Sequence, residues 1–227
     1  MRIYACLAAM AFAAIPAFAS DQLLLTPDAP ARMLPAPPPD GSAEQKREMA
    51  ELLRLQKTTS ATAYEKADKD DKTESVTAFA EILGPWFDMK ALPKTAALFQ
   101  QVRTEEKAAA KTAKTYFLRN RPWVLEPSLK TCTRDDPQQS SYPSGHATLG
   151  YSFAVVLAHL LPDDATKIMA RAKEYAENRL VCGVHYRSDI VAGQVLGTVV
   201  SEELLANANF KAEFEAAQAE LTAAKSH

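Results

Sequence analysis

The chain has 227 residues, 47% of them hydrophobic and 24% charged, the make-up of an ordinary globular protein, so disordered and fibrous classes are excluded. A formal charge of −2 argues against a nucleic-acid binder that works through overall basicity. With 3 cysteines a four-cysteine zinc site cannot form, and histidine chemistry is confined to His146, His159, His185 and His227.

At the N-terminus, Arg2 precedes an apolar run from Ile3 to Ile15, and Ala17-Phe18-Ala19 fits a small-x-small cleavage site. The pattern predicts an export signal over residues 1–19, removed before Ser20, and a periplasmic destination. A retained membrane anchor is the other reading, but the run is short against about 30 Å of hydrocarbon. No later segment reads as a span; Ala147 to Leu161 comes closest, and His159 interrupts it. Cys6 leaves with the signal, so Cys132 and Cys182 remain as a pair in an oxidising compartment. Either they form a disulfide closing a loop of about 50 residues, worth roughly 3–4 kcal/mol, or they are two buried thiols.

Six of the 14 prolines lie between Pro27 and Pro39, which reads as an extended arm over residues 20–41. A single helical domain, residues 42–227, follows. Ser42 and Gln45 form a capping box, and Met49, Leu52, Leu53 and Leu55 make the next segment apolar on one side. A second helix is predicted over Thr73–Leu83, stopped by Gly84-Pro85. A long alanine-rich helix is predicted from Lys94 to Leu118, ending before Arg121-Pro122. Further helices are predicted at about 145–161, 163–181, 188–206 and 209–224, with Asp163 and Ser188 as N-caps. No window alternates like a strand, so the fold class is an all-α bundle with irregular connections near 120–143 and 182–188.

Three clusters carry chemistry. In Tyr142-Pro143-Ser144-Gly145-His146, a Ser-Gly pair opens an apolar helix and would present free N–H groups and the positive dipole end to an anion. An ordinary helix cap is the plainer reading. Arg179 lies on the stripe of Tyr175, Ala172 and Ile168, so its guanidinium points inward and needs either a structural carboxylate or a bound phosphate. His185 and Asp189 are four apart, as befits a carboxylate orienting a ring whose other nitrogen reacts. A surface hydrogen bond would look the same. Lys114 and Arg121, in Lys-x6-Arg-Pro, could simply complement a helix dipole; Arg119 and Arg103 read as solvated.

Taken in order, Lys-x6-Arg-Pro, Pro-Ser-Gly-His and Arg-x5-His-x3-Asp resemble the three-part signature of the type 2 phosphatidic acid phosphatase superfamily. Within it the chain is most similar to the secreted class A bacterial non-specific acid phosphatases, over roughly residues 34–215. The proline-rich arm, Thr131-Cys132 and Val181-Cys182-Gly183-Val184-His185 extend the likeness. Two positions depart from the family pattern: Asn178 stands where Ser is usual, and Ala147 where Thr is common.

The resemblance implies that Lys114, Arg121 and Arg179 hold phosphoryl oxygens with Ser144 and the Gly145 N–H. It further implies that His185 attacks phosphorus, Asp189 fixes its ring, and His146 protonates the leaving alcohol. No metal or other cofactor is called for, since three cations can offset the transferring charge. The implied partners are small phosphomonoesters, with hydrolysis at mildly acid pH, some transfer to other alcohols, no nucleic-acid recognition, and dimerisation as a feature of the branch. A vanadate-dependent haloperoxidase would share the site, and a non-catalytic periplasmic anion-binding protein would share its cations. His159 and His227 have no part in this scheme.

Overall fold

The computed structural model describes residues 23–225, so the expected signal peptide lies outside the described residues. Ten α-helices are present among them: α1 (Asp28–Ala31), α2 (Ala43–Thr58), α3 (Ala61–Asp71), α4 (Ala80–Leu83), α5 (Pro93–Phe117), α6 (Pro122–Leu125), α7 (Gly145–Leu160), α8 (Ala165–Val181), α9 (Arg187–Ala206) and α10 (Ala208–Lys225). The described residues contain no strand, in line with the all-α expectation.

Helix α7 is apolar nearly all round and is the central element. Ala147, Leu149, Phe153, Val156 and Leu157 are all buried within a surround of α5, α8 and α9. Phe153 meets Phe99 of α5 edge-on at 5.4 Å. Helix α9 lies closest of all to α7, because glycine removes the side chains between them. A Cβ on Gly197 would stand 2.3 Å from the Thr148 carbonyl oxygen, and one on Gly193 would stand 2.6 Å from that of Ser144.

Several local expectations need correction. The proline-rich arm contains one helical turn, α1, and Leu34 beyond it is buried; the Pro35 carbonyl then accepts the Tyr142 hydroxyl at 2.6 Å. The Ser42 cap accepts from Gln45 N–H at 3.1 Å, but the return bond from the Gln45 side chain goes to the N–H of Gly41 rather than Ser42. Thr73–Leu83 is not one helix. Its first residues form a loop, followed by a 3₁₀ turn over Val76–Phe79 and then α4.

Helix α3 gives little periodic signal because its sequence, ATAYEKADKDD, is mostly polar; the Ser60 cap and the buried Ala67 and Asp70 define it. Asp163 and Ser188 are not N-caps. Asp163 sits in a 3₁₀ turn before α8, and α9 is capped by Tyr186, whose N–H donates to the Asp189 side chain at 2.8 Å.

Cys132 and Cys182 are joined in a disulfide, with Cα atoms 5.0 Å apart, and the Cys132 N–H also donates to the Cys182 carbonyl at 3.1 Å. The bond ties the 120–143 connection to the turn between α8 and α9. Because the closed loop spans a sequence separation of 50, reduction should cost about 4 kcal/mol through the freed entropy of the unfolded chain. Urea unfolding with and without reductant measures this; an unchanged midpoint would show that the bond adds no stability.

Candidate active site

The site lies where the N-termini of α7 and α9 meet the end of α8. Ser144 caps α7, its hydroxyl accepting from Ala147 N–H at 3.3 Å, and its own N–H donates to the Asp189 carbonyl at 3.0 Å. That bond couples the starts of the two helices. Gly145 begins α7 with the Lys114 side chain alongside, Cε lying 3.8 Å from where a Cβ would stand. Lys114 comes from the last turn of α5 and donates to the Ser140 carbonyl.

Arg121 is buried in the 120–143 connection. Its Nη1 donates to the Val184 carbonyl and faces His185 Nε2, both at 3.0 Å, and its other nitrogens reach Ser140 Oγ. A guanidinium only donates, so His185 Nε2 accepts and carries no proton. The neutral ring therefore holds its hydrogen on Nδ1, which faces Asp189 Oδ2 at 3.4 Å. The same carboxylate accepts from Ser141 Oγ at 2.6 Å and Arg119 Nη1 at 2.6 Å.

Arg119 is the residue that sequence reasoning misplaced. It is 4% exposed rather than solvated, and it joins Asp189 to Glu48 of α2 at 2.8 Å and stacks over Tyr186. Nothing local in Leu-Arg-Asn-Arg marks it, because its partners come from positions 48, 188 and 189. Arg103 is also paired, with Glu74 and Glu106.

On the opposite side, Arg179 is 1% exposed and pairs with Asp71 at the end of α3. His146 stacks against Tyr175, ring centroids 5.8 Å apart, and its Nε2 meets the Asp71 carbonyl at 2.9 Å. Asn178, at the position where Ser is usual, donates to Asp70 at 2.7 Å, and Arg171 grips the same carboxylate with two bonds at 2.9 and 2.6 Å. These contacts fix the end of α3. His159 lies outside the cluster beside Glu202, and His227 lies outside the described residues.

Gathering cations with little water has a cost that appears in their proton affinities. Burial, then the neighbouring Arg121, lowers the Lys114 ammonium to about 7. Burial, with Arg179 among its neighbours, lowers Arg121 to about 10. Both histidines are pushed well below the ordinary range, first by burial and then by the arginines, Arg121 for His185 and Arg179 for His146. Burial raises Asp189, and Arg119, Ser141 and the Tyr186 N–H offset part of that rise.

Three cations and two imidazoles, one held against a carboxylate, thus meet in a buried cluster at paired helix N-termini of an all-α bundle. A family model described as the PAP2 superfamily matches residues 96–209. The chain is 31% identical over 203 residues to an acid phosphatase of Zymomonas mobilis, covering 86% of this chain and 76% of that protein. It is 30% identical over 201 residues to a non-specific acid phosphatase of Providencia stuartii, covering 85% and 81%. The fold is also similar to that of a bacterial vanadium-dependent iodoperoxidase, with a TM-score of 0.60, 17% identity, and coverage of 79% of this chain and 54% of that one. The chain spans about half of that structure, and at this identity the likeness is one of fold. The chain belongs to the PAP2 superfamily.

Removing the Arg119 guanidinium would strand two buried carboxylates. Arg119→Ala should therefore lower stability by about 3–5 kcal/mol in urea unfolding, and Arg119→Lys should recover part of it. A loss under 1 kcal/mol would show that water replaces the arginine freely.

Proposed function

We propose that this protein is an exported acid phosphatase that hydrolyses phosphate monoesters through a phosphohistidine, without a metal. The observation that carries the reading is the neutral His185, its Nε2 lone pair turned toward Arg121 and its Nδ1–H toward Asp189. The acid phosphatases of Zymomonas mobilis and Providencia stuartii, similar over most of the chain, support it. Arg2, the apolar run and Ala17-Phe18-Ala19 support export. Among the described residues no helix is long and apolar enough to cross a membrane.

In the proposed reaction Lys114, Arg121, Arg179, Ser144 and the Gly145 N–H hold the phosphoryl oxygens. Nε2 of His185 attacks phosphorus, the P–O ester bond breaks, and His146 gives its proton to the leaving alkoxide. Water, deprotonated by His146, then attacks the phosphohistidine, releasing phosphate and restoring His185. An alcohol in place of water gives phosphotransfer. The cations that depress His146 are offset once a phosphoryl dianion sits among them, which restores its ability to hold the proton. They also supply the charge stabilisation that a metal often gives to phosphoryl transfer.

His185→Ala should abolish turnover of p-nitrophenyl phosphate and the labelled phosphoenzyme, while EDTA leaves the wild type active. Full activity in the variant, or loss on chelation, would refute the assignment.

The pH dependence follows from the same shifts. A depressed His185 stays neutral, and able to attack, well below pH 6.5. Lys114 loses its charge as pH rises through about 7, removing one phosphate-holding cation. The free-enzyme profile of kcat/KM should thus be highest in acid and fall as pH rises, first as the depressed His146 loses the proton it must give and again through about 7 as Lys114 loses its charge. Lys114→Arg should move the step near 7 upward and leave the step at lower pH in place. An unmoved upper step would assign it to another group.

A further inference from the structure

Asp71 belongs to none of the sequence motifs, yet it touches both residues on the α3 side of the site. Its carboxylate pairs with Nη1 of Arg179, and its backbone carbonyl accepts from Nε2 of His146 at 2.9 Å. Each contact leaves a specific edge of the partner for other use. Arg179 Nε is buried and has no hydrogen-bond partner among the described residues, although buried N–H groups are nearly always paired. A carbonyl only accepts, so His146 carries its hydrogen on Nε2, and Nδ1 is left as the nitrogen that exchanges a proton elsewhere.

The position of Asp71 is itself fixed. Asp70 next to it is held by Arg171 and Asn178, and the Thr73 carbonyl two residues on accepts the Tyr175 hydroxyl at 2.7 Å. Tyr175 is the residue whose ring stacks on His146.

We propose that Asp71 is a positioning residue: its carboxylate turns the Nε edge of Arg179 toward the phosphoryl group, and its carbonyl turns His146 so that Nδ1 faces the leaving oxygen. Asp71 thereby does for His146 and Arg179 what Asp189 does for His185. The proposal rests on the reading of this cluster as a phosphate-holding site. It adds a further chain segment, the end of α3, to those that build it. Loss of the carboxylate frees the guanidinium to swing, so the effect falls on phosphate affinity, while the backbone contact to His146 survives any side-chain change.

The test measures binding of inorganic phosphate by calorimetry, alongside p-nitrophenyl phosphate kinetics, for the wild type, Asp71→Ala and Asp71→Asn. Asp71→Ala should weaken phosphate binding about tenfold, in keeping with the loss of one charge-assisted bond. KM should rise in parallel, and by more than kcat falls. Asp71→Asn keeps an oxygen that accepts from Arg179 and preserves the packing, so it should recover part of the loss.

Unchanged phosphate affinity in both variants would reduce Asp71 to a structural role and overturn the proposal. Tighter binding would overturn it too, by showing that the carboxylate competes with phosphate for Arg179. Should Asp71→Ala fail to fold, Asp71→Asn alone decides between weaker binding and these two outcomes. The phosphatase reading fails separately, if the wild type binds phosphate without turning over the ester. If no form binds phosphate, both readings fall.

Discussion

A carboxylate with no exposed surface stays ionised only if the protein supplies the donors that water would have supplied. At Asp189 those donors come from far apart in the chain: Arg119 before α6, Ser141 before α7, and the Tyr186 N–H and the His185 ring from the turn that starts α9. The Asp189 backbone carbonyl in addition takes the N–H of Ser144. One residue therefore sets the angle of the His185 ring, the start of α7 and the docking of α2 through Arg119 and Glu48. The rest of the site is arranged around that convergence.

The other organising feature is electrostatic crowding. On top of burial, Arg121 and Arg179 lower Lys114 and both imidazoles, and Arg179 lowers Arg121, an arrangement that a purely structural core would avoid. An anion bound among them opposes these shifts. The crowding therefore favours an anion among the cations and keeps His185 neutral below the ordinary imidazole range. Asp136, on the exposed side of Arg121 at 3.0 Å, and Asp71 on Arg179 keep the positive charge from being wholly uncompensated.

How much of this was legible in the sequence depended on the range of the interactions. Helices α5, α7, α8, α9 and α10 were found within a few residues of their ends, because apolar periodicity and proline or glycine stops are local signals. Motif spacing picked out the eight side chains and caps that meet in the cluster. Helix α3 was missed because its burial consists of one alanine and one ion-paired aspartate. Arg119 was misread because an arginine between two helices looks solvated until its carboxylates arrive from positions 48 and 189. Asp163 and Ser188 looked like caps by type alone, whereas the chain used Asp189, three residues into its helix, to satisfy the Tyr186 N–H.

The glycines of α9 carry a consequence for anyone who would alter specificity. At positions 193 and 197 the two central helices touch backbone to backbone, so no side chain can be exchanged there without shifting Ser144 against Asp189. This seam is effectively closed to diversification. Exposed positions on the 120–143 connection, such as Ser128 and Asp135, lie away from the seam and can change while it stays intact.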